Sequence, residues 1–276
     1  MIGRLLDDRR SRWTERYPPP ETPWTELYVE RHRALLCEAL DDPKLRARFE
    51  SRQRLPRGYG RGFDERVVEY PWLLAQRPSG RTLDAGSTLN HAHVLDRFLP
   101  LLASPHIVTL APEAVSFPER GVSYVYADLR ELPYRDALFD TVVCVSTLEH
   151  VGMDNAAYGA DEGRAADPDR ELLRVLAELR RVVRADGRLL VTIPYGRAED
   201  HGWFRQLDRN GVERLVELAS PRRYRLTVFR YGESGWQRSD LEGAADAQYR
   251  DYTRDPAPVD DQAAAARAVV CLALDL

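Results

Sequence analysis

Two rhythms of apolar and polar residues divide the chain near residue 80. In the first part, Trp24, Leu27, Tyr28, Leu35, Leu36 and Ala39 recur at helical spacing. That predicts a helix to about Leu40, with Thr22 as its N-cap and Pro23 as its first residue. The preceding Tyr17-Pro18-Pro19-Pro20 reads as extended, since each proline fixes φ and turns its predecessor away from helix. Gly58-Tyr59-Gly60-Arg61-Gly62 reads as flexible punctuation before a second helix over 63–76, kinked near Pro71. No strand pattern appears ahead of Arg81.

From Arg81 onward strands alternate with helices. Short apolar runs predict strands over residues 81–84, 107–110, 123–127, 140–145, 188–194, 224–230 and 268–274. The stretch 90–102 reads as helical, and helical spacing returns over 212–218. Asp167-Pro168 supplies the N-cap and first position of a helix with an apolar stripe at Leu172, Leu173, Leu176, Leu179, Val182 and Val183. Gly187 stands as its C-terminal stop. The wholly apolar run at 188–194 suits a parallel strand covered on both faces. Residues 239–262 are polar and irregular, an insertion between the last two strands. Such alternation predicts an α/β fold with a doubly wound parallel sheet.

Composition narrows the function classes. The chain has 276 residues, 43% hydrophobic and 30% charged, with a net charge of −4. One large domain or two small ones with a sizeable core fit this length. The charge balance disfavours a strongly basic nucleic-acid binder and a charged disordered chain. No apolar run approaches the roughly 18 residues of a membrane span. MIGRLLDDRRSRW places acids and arginines where a signal peptide needs apolar residues. Cys37, Cys144 and Cys271 are odd in number and far apart, so no disulfide framework or zinc knuckle is written here. Cys144 and Cys271, inside apolar strands, read as core. Lys44 is the only lysine. The expectation is a cytoplasmic globular protein with a small-molecule partner, no nucleic acid and no membrane, and no oligomeric state is specified.

Ligands of an open parallel sheet bind beyond the carboxyl ends of its strands. The first strand ends Leu83-Asp84-Ala85-Gly86-Ser87-Thr88-Leu89-Asn90, where Gly86 allows a tight turn. Thr88 and His91 stand where a dinucleotide loop needs glycines, which argues against NAD or FAD. Further on come Asp128-Leu129-Arg130-Glu131-Leu132-Pro133-Tyr134, Phe139-Asp140-Thr141-Val142, Leu148-Glu149-His150 and Glu178-Leu179-Arg180-Arg181-Val182-Val183-Arg184-Ala185-Asp186-Gly187. In order and spacing these resemble the class I S-adenosylmethionine-dependent methyltransferases, in which D-x-G-x-G-x-G is followed by D-x-x-x-L-P-F, F-D-x-V, L-E-H and E-x-x-R-V-L-x-P-G-G. The likeness is greatest to the small-molecule branch that includes the ubiquinone-type enzymes. It runs through 81–194 and more weakly to the C-terminus.

The resemblance implies a Rossmann-like, seven-stranded sheet with a C-terminal antiparallel hairpin over 81–276, and a helical cap over 1–80. It implies S-adenosyl-L-methionine as cofactor. Asp84, Gly86 and Ser87 fall at its methionine end, Asp128 and the Leu129 N–H at its adenine, and Ser146 beside its methyl group. Glu113 is the nearest carboxylate to the family's ribose-binding acid, two or three residues late. For an acceptor that must lose a proton, His150 after the fourth strand and His201 after the fifth are the candidate bases. Each also reads as an ordinary cap or backbone partner. His91-x-His93 reads as capping or solvated, and Glu149, Asp154 and Asn155 as caps, so no metal set is assigned. Trp203, Phe204 and Trp236 read either as the floor of a sugar site or as packing. Methyl transfer to oxygen or nitrogen of a small molecule, a sugar or glycosylated metabolite among the options, is the function expected. An NAD-dependent oxidoreductase or epimerase, and a non-catalytic S-adenosylmethionine-binding partner subunit, stand as alternatives.

Overall fold

A computed structural model describes residues 12–159, 163–252 and 254–276; residues 1–11 of the expected cap lie outside them. Four helices come first: α1 (Arg12–Arg16), α2 (Glu26–Asp41), α3 (Pro43–Glu50) and α4 (Arg66–Ala75). Then follow β1 (Gly80–Ala85), α5 (Ala92–Phe98), β2 (Leu102–Thr109), β3 (Ser123–Tyr126), β4 (Phe139–Val145), α6 (Pro168–Val182) and β5 (Val183–Pro194). A short ribbon of β6 (Glu199–Asp200) and β7 (Arg205–Gln206), α7 (Arg209–Ala219), β8 (Arg223–Gly232), β9 (Gly235–Ser239) and β10 (Ala268–Asp275) complete the chain. The main sheet runs β3-β2-β1-β4-β5-β10-β8-β9. Its first five strands are parallel, and β10 is antiparallel to both neighbours. All seven expected strands form. An eighth, β9, turns back on β8 and ends where the polar insertion begins.

The two faces of the sheet follow the alternation of its sequence. Val143, Val145, Leu190, Val269 and Cys271 pack with α2 to α5, whereas Val142, Cys144, Leu189, Val191, Val270 and Leu272 pack with α6 and α7. Both strand cysteines are fully buried, on opposite faces. Among the described residues no helix is long and apolar enough to cross a membrane.

Local chemistry moves several expected boundaries. Trp24 takes φ +65°, and Thr25 rather than Thr22 caps α2, its hydroxyl accepting the Tyr28 N–H at 3.3 Å. Asp42 closes α2 through its N–H to Glu38 and opens α3 by accepting from Lys44 and Leu45, with Pro43 at the first position. Helix α6 ends at Val182, so Gly187 is not its stop; it lies inside β5, where a Cβ would press on the Asp140 carbonyl and on Val183. Pro71 inside α4 removes the N–H that would bond the Val67 carbonyl. The Tyr59 hydroxyl takes its place, donating to that carbonyl at 2.5 Å.

Tyr59 belongs to the glycine-rich segment, which is no flexible punctuation. Tyr59 is fully buried, and Gly58, Gly60 and Gly62 all have positive φ. A Cβ on Gly60 would strike Val67 and Trp236. Gly58 N–H donates to Ser234, Trp236 N–H to Tyr59, and the Trp236 indole to Phe63, at 2.7, 2.9 and 3.0 Å. The segment is the joint that seats the N-terminal helices on the β8–β9 hairpin.

Tyr59→Phe should therefore leave the Val67 carbonyl buried and unpaired, costing about 1–3 kcal/mol in urea unfolding at unchanged m-value. A second expectation concerns pH. Burial, then Asp64 and Glu69, push the Glu65 carboxyl up to about 8. The folded state thus holds a proton that the unfolded chain has lost, and stability falls as pH rises from about 4.5 to about 8. Glu65→Gln keeps an acceptor for the Ala266 N–H, which Glu65 takes at 3.2 Å. Its thermal midpoint should fall less than the parent's between about pH 5 and about pH 8.

Candidate functional site

At the end of β1, Gly86 sits at φ +113°, where any Cβ would collide with the Thr147 side chain. The chain turns there because only hydrogen fits, and Gly86 N–H bonds the Val108 carbonyl at 3.0 Å. The loop that follows needs no further glycine. Ser87 itself adopts φ +58°, Thr88 Oγ1 donates to the Val145 carbonyl at 2.8 Å, and Leu89 N–H donates to Asp84 Oδ2 at 2.7 Å. Asp84 is thus an internal brace for the loop, 2% exposed, with Oδ1 lacking a partner among the described residues. Burial pushes its carboxyl up to about 7.

The displaced acid after β2 reaches the same loop. Glu113 accepts from the Ser87 hydroxyl and, at 2.5 Å, from Asn90 Nδ2, while Asn90 Oδ1 accepts from the Tyr124 hydroxyl at 2.7 Å. Beyond β3, Asp128 accepts from the Arg130 backbone and guanidinium at 2.7 Å each, and Arg130 also reaches Glu171 at 2.8 Å. Burial pushes the Asp128 carboxyl up, but the Arg130 hydrogen bonds outweigh it and hold it below the usual carboxylate range.

Ser146, ending β4 at φ +41°, donates its hydroxyl to Glu69 Oε1 at 2.6 Å; Thr192 does the same from β5 at 2.6 Å. Glu69, fully buried on α4, pairs through its other oxygen with Arg66. One turn further, Tyr70 donates to the Thr88 carbonyl at 2.5 Å. Sequence reading missed these α4 residues. The signal was there, since Glu65, Arg66 and Glu69 interrupt an otherwise apolar helical stretch.

His150 places Nδ1 at 2.9 Å from the Trp203 carbonyl, so Nδ1 carries the proton and Nε2 the lone pair. Its ring stacks 5.1 Å from Trp203 and meets Tyr158 edge-on at 5.2 Å. Burial lowers its pKa to about 4. His201 lies elsewhere. It stacks on Phe204 at 4.4 Å, with Glu199 at 3.4 Å and Asp251 at 3.5 Å. Trp236 belongs to the N-terminal joint, away from this cluster.

One cavity of about 730 Å³ gathers Gly86, Ser87, Glu113, Asp128, Leu129, Ser146 and His150. Arg66, Tyr70, His91 and Tyr158 share its wall, while Asp84, which braces the first loop from within, and His201 do not line it. It opens across the carboxyl ends of β1 to β4, where the strand order reverses. It brings acceptors, donors and a neutral imidazole around a space suited to a nucleoside-sized ligand beside a second molecule.

Residues 85–191 match the family model described as a methyltransferase domain. No curated protein sequence matches the chain. Among solved structures, the 1,6-didemethyltoxoflavin-N1-methyltransferase of Burkholderia thailandensis is 17% identical, with 93% of each chain covered and a TM-score of 0.44. An S-adenosylmethionine-dependent methyltransferase of Thermotoga maritima is 17% identical over 75% of this chain and 87% of that one, at a TM-score of 0.47. The N-methyltransferase NodS of Bradyrhizobium japonicum is 12% identical over 76% and 94%, at 0.44. The matched segment spans β1's end to β5 and the cavity lies over those strands, so residues 85–191 carry a methyltransferase domain and the chain is an enzyme that uses S-adenosylmethionine.

Proposed function

We propose that this enzyme moves a methyl group to an oxygen or nitrogen of a small molecule, with a sugar or glycosylated metabolite as the acceptor class. The supporting observation is the convergence in one cavity of residues from the four loops that follow β1, β2, β3 and β4. In this reading residues 1–80 serve as a cap over a cofactor domain at 81–276. The order and spacing of the motifs support membership of the small-molecule branch that includes the ubiquinone-type enzymes.

The wall fits the cofactor. Asp128 and the Leu129 N–H offer an acceptor beside a donor, as an adenine edge requires, and Glu113 offers a carboxylate for ribose hydroxyls. Gly86, Ser87 and Ser146 line the methionine end, and Asp84 holds the loop that carries Gly86 and Ser87 through the Leu89 N–H. When bound, S-adenosylmethionine supplies an electrophilic methyl group on a sulfonium leaving group. The protein's share is alignment and exclusion of water. His150 takes the proton that the acceptor gives up, at Nε2, because Nδ1 is held by Trp203. A pKa of about 4 keeps that nitrogen unprotonated at neutral pH. Tyr158, on the cavity wall and edge-on to His150, offers an aromatic face suited to the C–H surface of a sugar, while Trp203 backs the imidazole from behind. His201 steadies Phe204 and the loop behind them.

Calorimetry with S-adenosylhomocysteine tests the reading directly: Asp128→Ala should weaken binding by about 5- to 150-fold. Tight NAD binding with no response to S-adenosylhomocysteine would overturn the proposal. In a screen for labelled-methyl transfer onto sugars and glycosylated metabolites, His150→Ala should cut turnover by about 10²- to 10⁴-fold and leave cofactor affinity nearly unchanged. His201→Ala should lower the thermal midpoint instead. If the His201 variant loses turnover and the His150 variant does not, their roles are reversed.

A further inference from the structure

We propose that Arg66, carried by the cap helix α4, is the receptor for the aminocarboxylate of the cofactor, so that the cap supplies the anion-binding part of the site. This rests on the reading of the cavity as the S-adenosylmethionine site and adds a residue that its motifs do not contain.

Charge bookkeeping around the cavity points to this residue. Two arginines line the wall, Arg66 and Arg130. Arg130 is taken up at the adenine end, where its guanidinium holds Asp128 at 2.7 Å and Glu171 at 2.8 Å. The histidines on the wall, His91 and His150, are both driven toward their neutral forms by burial. Arg66 is thus the wall's cation at the other end. Its Nη1 pairs with Glu69, while Nε and Nη2 make no hydrogen bond among the described residues, and the side chain is 28% exposed.

Among the described residues its one contacting counter-charge, Glu69, occupies a single N–H edge of the guanidinium and leaves the other facing the cavity. Glu69 divides itself between Arg66, Ser146 and Thr192. Asp64 accepts from Tyr28 at 2.8 Å and faces His32 at 3.1 Å. Burial pushes Glu65 up to about 8 and Glu149 upward, which weakens both as counter-charges to the guanidinium. Arg66 shares the cavity wall with Gly86, Ser87 and Thr88 of the first loop and with Ser146 and His150 after β4. Tyr70, one turn along the same helix, fixes that placement by holding the Thr88 carbonyl.

The opposite side of the loop is acidic, through Glu113 on Ser87 and Asn90. A sulfonium and an ammonium suit that side. A carboxylate does not, and taking it out of water requires a cation with free N–H groups. Arg66 meets that requirement, and its planar fork matches a carboxylate in two-point contact.

The test separates the aminocarboxylate from the nucleoside. Binding of S-adenosylhomocysteine and of 5′-methylthioadenosine, which lacks the aminocarboxylate, is measured calorimetrically on the full chain. Arg66→Gln should weaken the first by about 10- to 100-fold and the second by less than about twofold. Arg66→Lys should fall between parent and glutamine variant for the first ligand. Because Arg66→Gln strands the Glu69 charge, the Arg66→Gln, Glu69→Gln double variant provides a fold in which Ser146 and Thr192 keep an acceptor; it should show the same selective loss. Equal losses for both ligands, or none for either, would overturn the assignment of Arg66. Failure of the parent protein to bind S-adenosylhomocysteine would instead overturn the reading of the cavity itself.

Discussion

A single buried carboxylate, Glu69, ties the helical cap to the working end of the sheet. Taking a carboxylate out of water is tolerable only when hydrogen bonds and a counter-charge replace the solvent. Glu69 finds its donors on Ser146 and Thr192, at the ends of β4 and β5, and its counter-charge one turn away on Arg66. The strands stop where an open parallel sheet receives its ligand, and Ser146 stands there in left-handed backbone. Cap, strand ends and cavity wall therefore share one electrostatic knot. Loosening the cap would leave charge unpaired at the site itself.

What the sequence revealed and concealed follows from which interactions are local. Strands β1 to β5, β8 and β10 were legible because their faces alternate or are wholly apolar, and a parallel sheet buried on both sides imposes that pattern. Helix α3 carried the same Asp-Pro start as α6 and was passed over. Gly187 and the glycines at 58–62 misled for a common reason. Glycine marks a place where a Cβ will not fit, and sequence does not say whether a turn or a distant side chain forbids it. Gly86, Asp128 and the late acid Glu113 could be placed from motif and strand ends. The inward turn of Arg66 and Glu69 could not, since charge in a helical stretch ordinarily faces water.

The preponderance of arginine acquires a structural sense. Arg188 reaches the Gln76 and Arg77 carbonyls beyond α4 at 2.9 and 3.0 Å. Arg180 reaches the Ala219 and Ser220 carbonyls at the end of α7. Arg181 joins Glu178 to Asp136 and to the Leu132 and Tyr134 carbonyls. Each is a forked contact with two or more acceptors at once. A lysine ammonium, a compact charge on a flexible stem, reproduces such geometry poorly.

The glycine joint also orders events in time. The N-terminal helices rest on a hairpin whose residues lie some 170 positions later in the chain, and β8 reaches the parallel strands only through β10 at the C-terminus. During synthesis the part of these helices' apolar surface that meets the hairpin and β10 stays uncovered until β10 has been made and slotted between β5 and β8. That surface stays open to chaperones and proteases until then, and a nascent chain cut short of β10 would lack part of the seat these helices require.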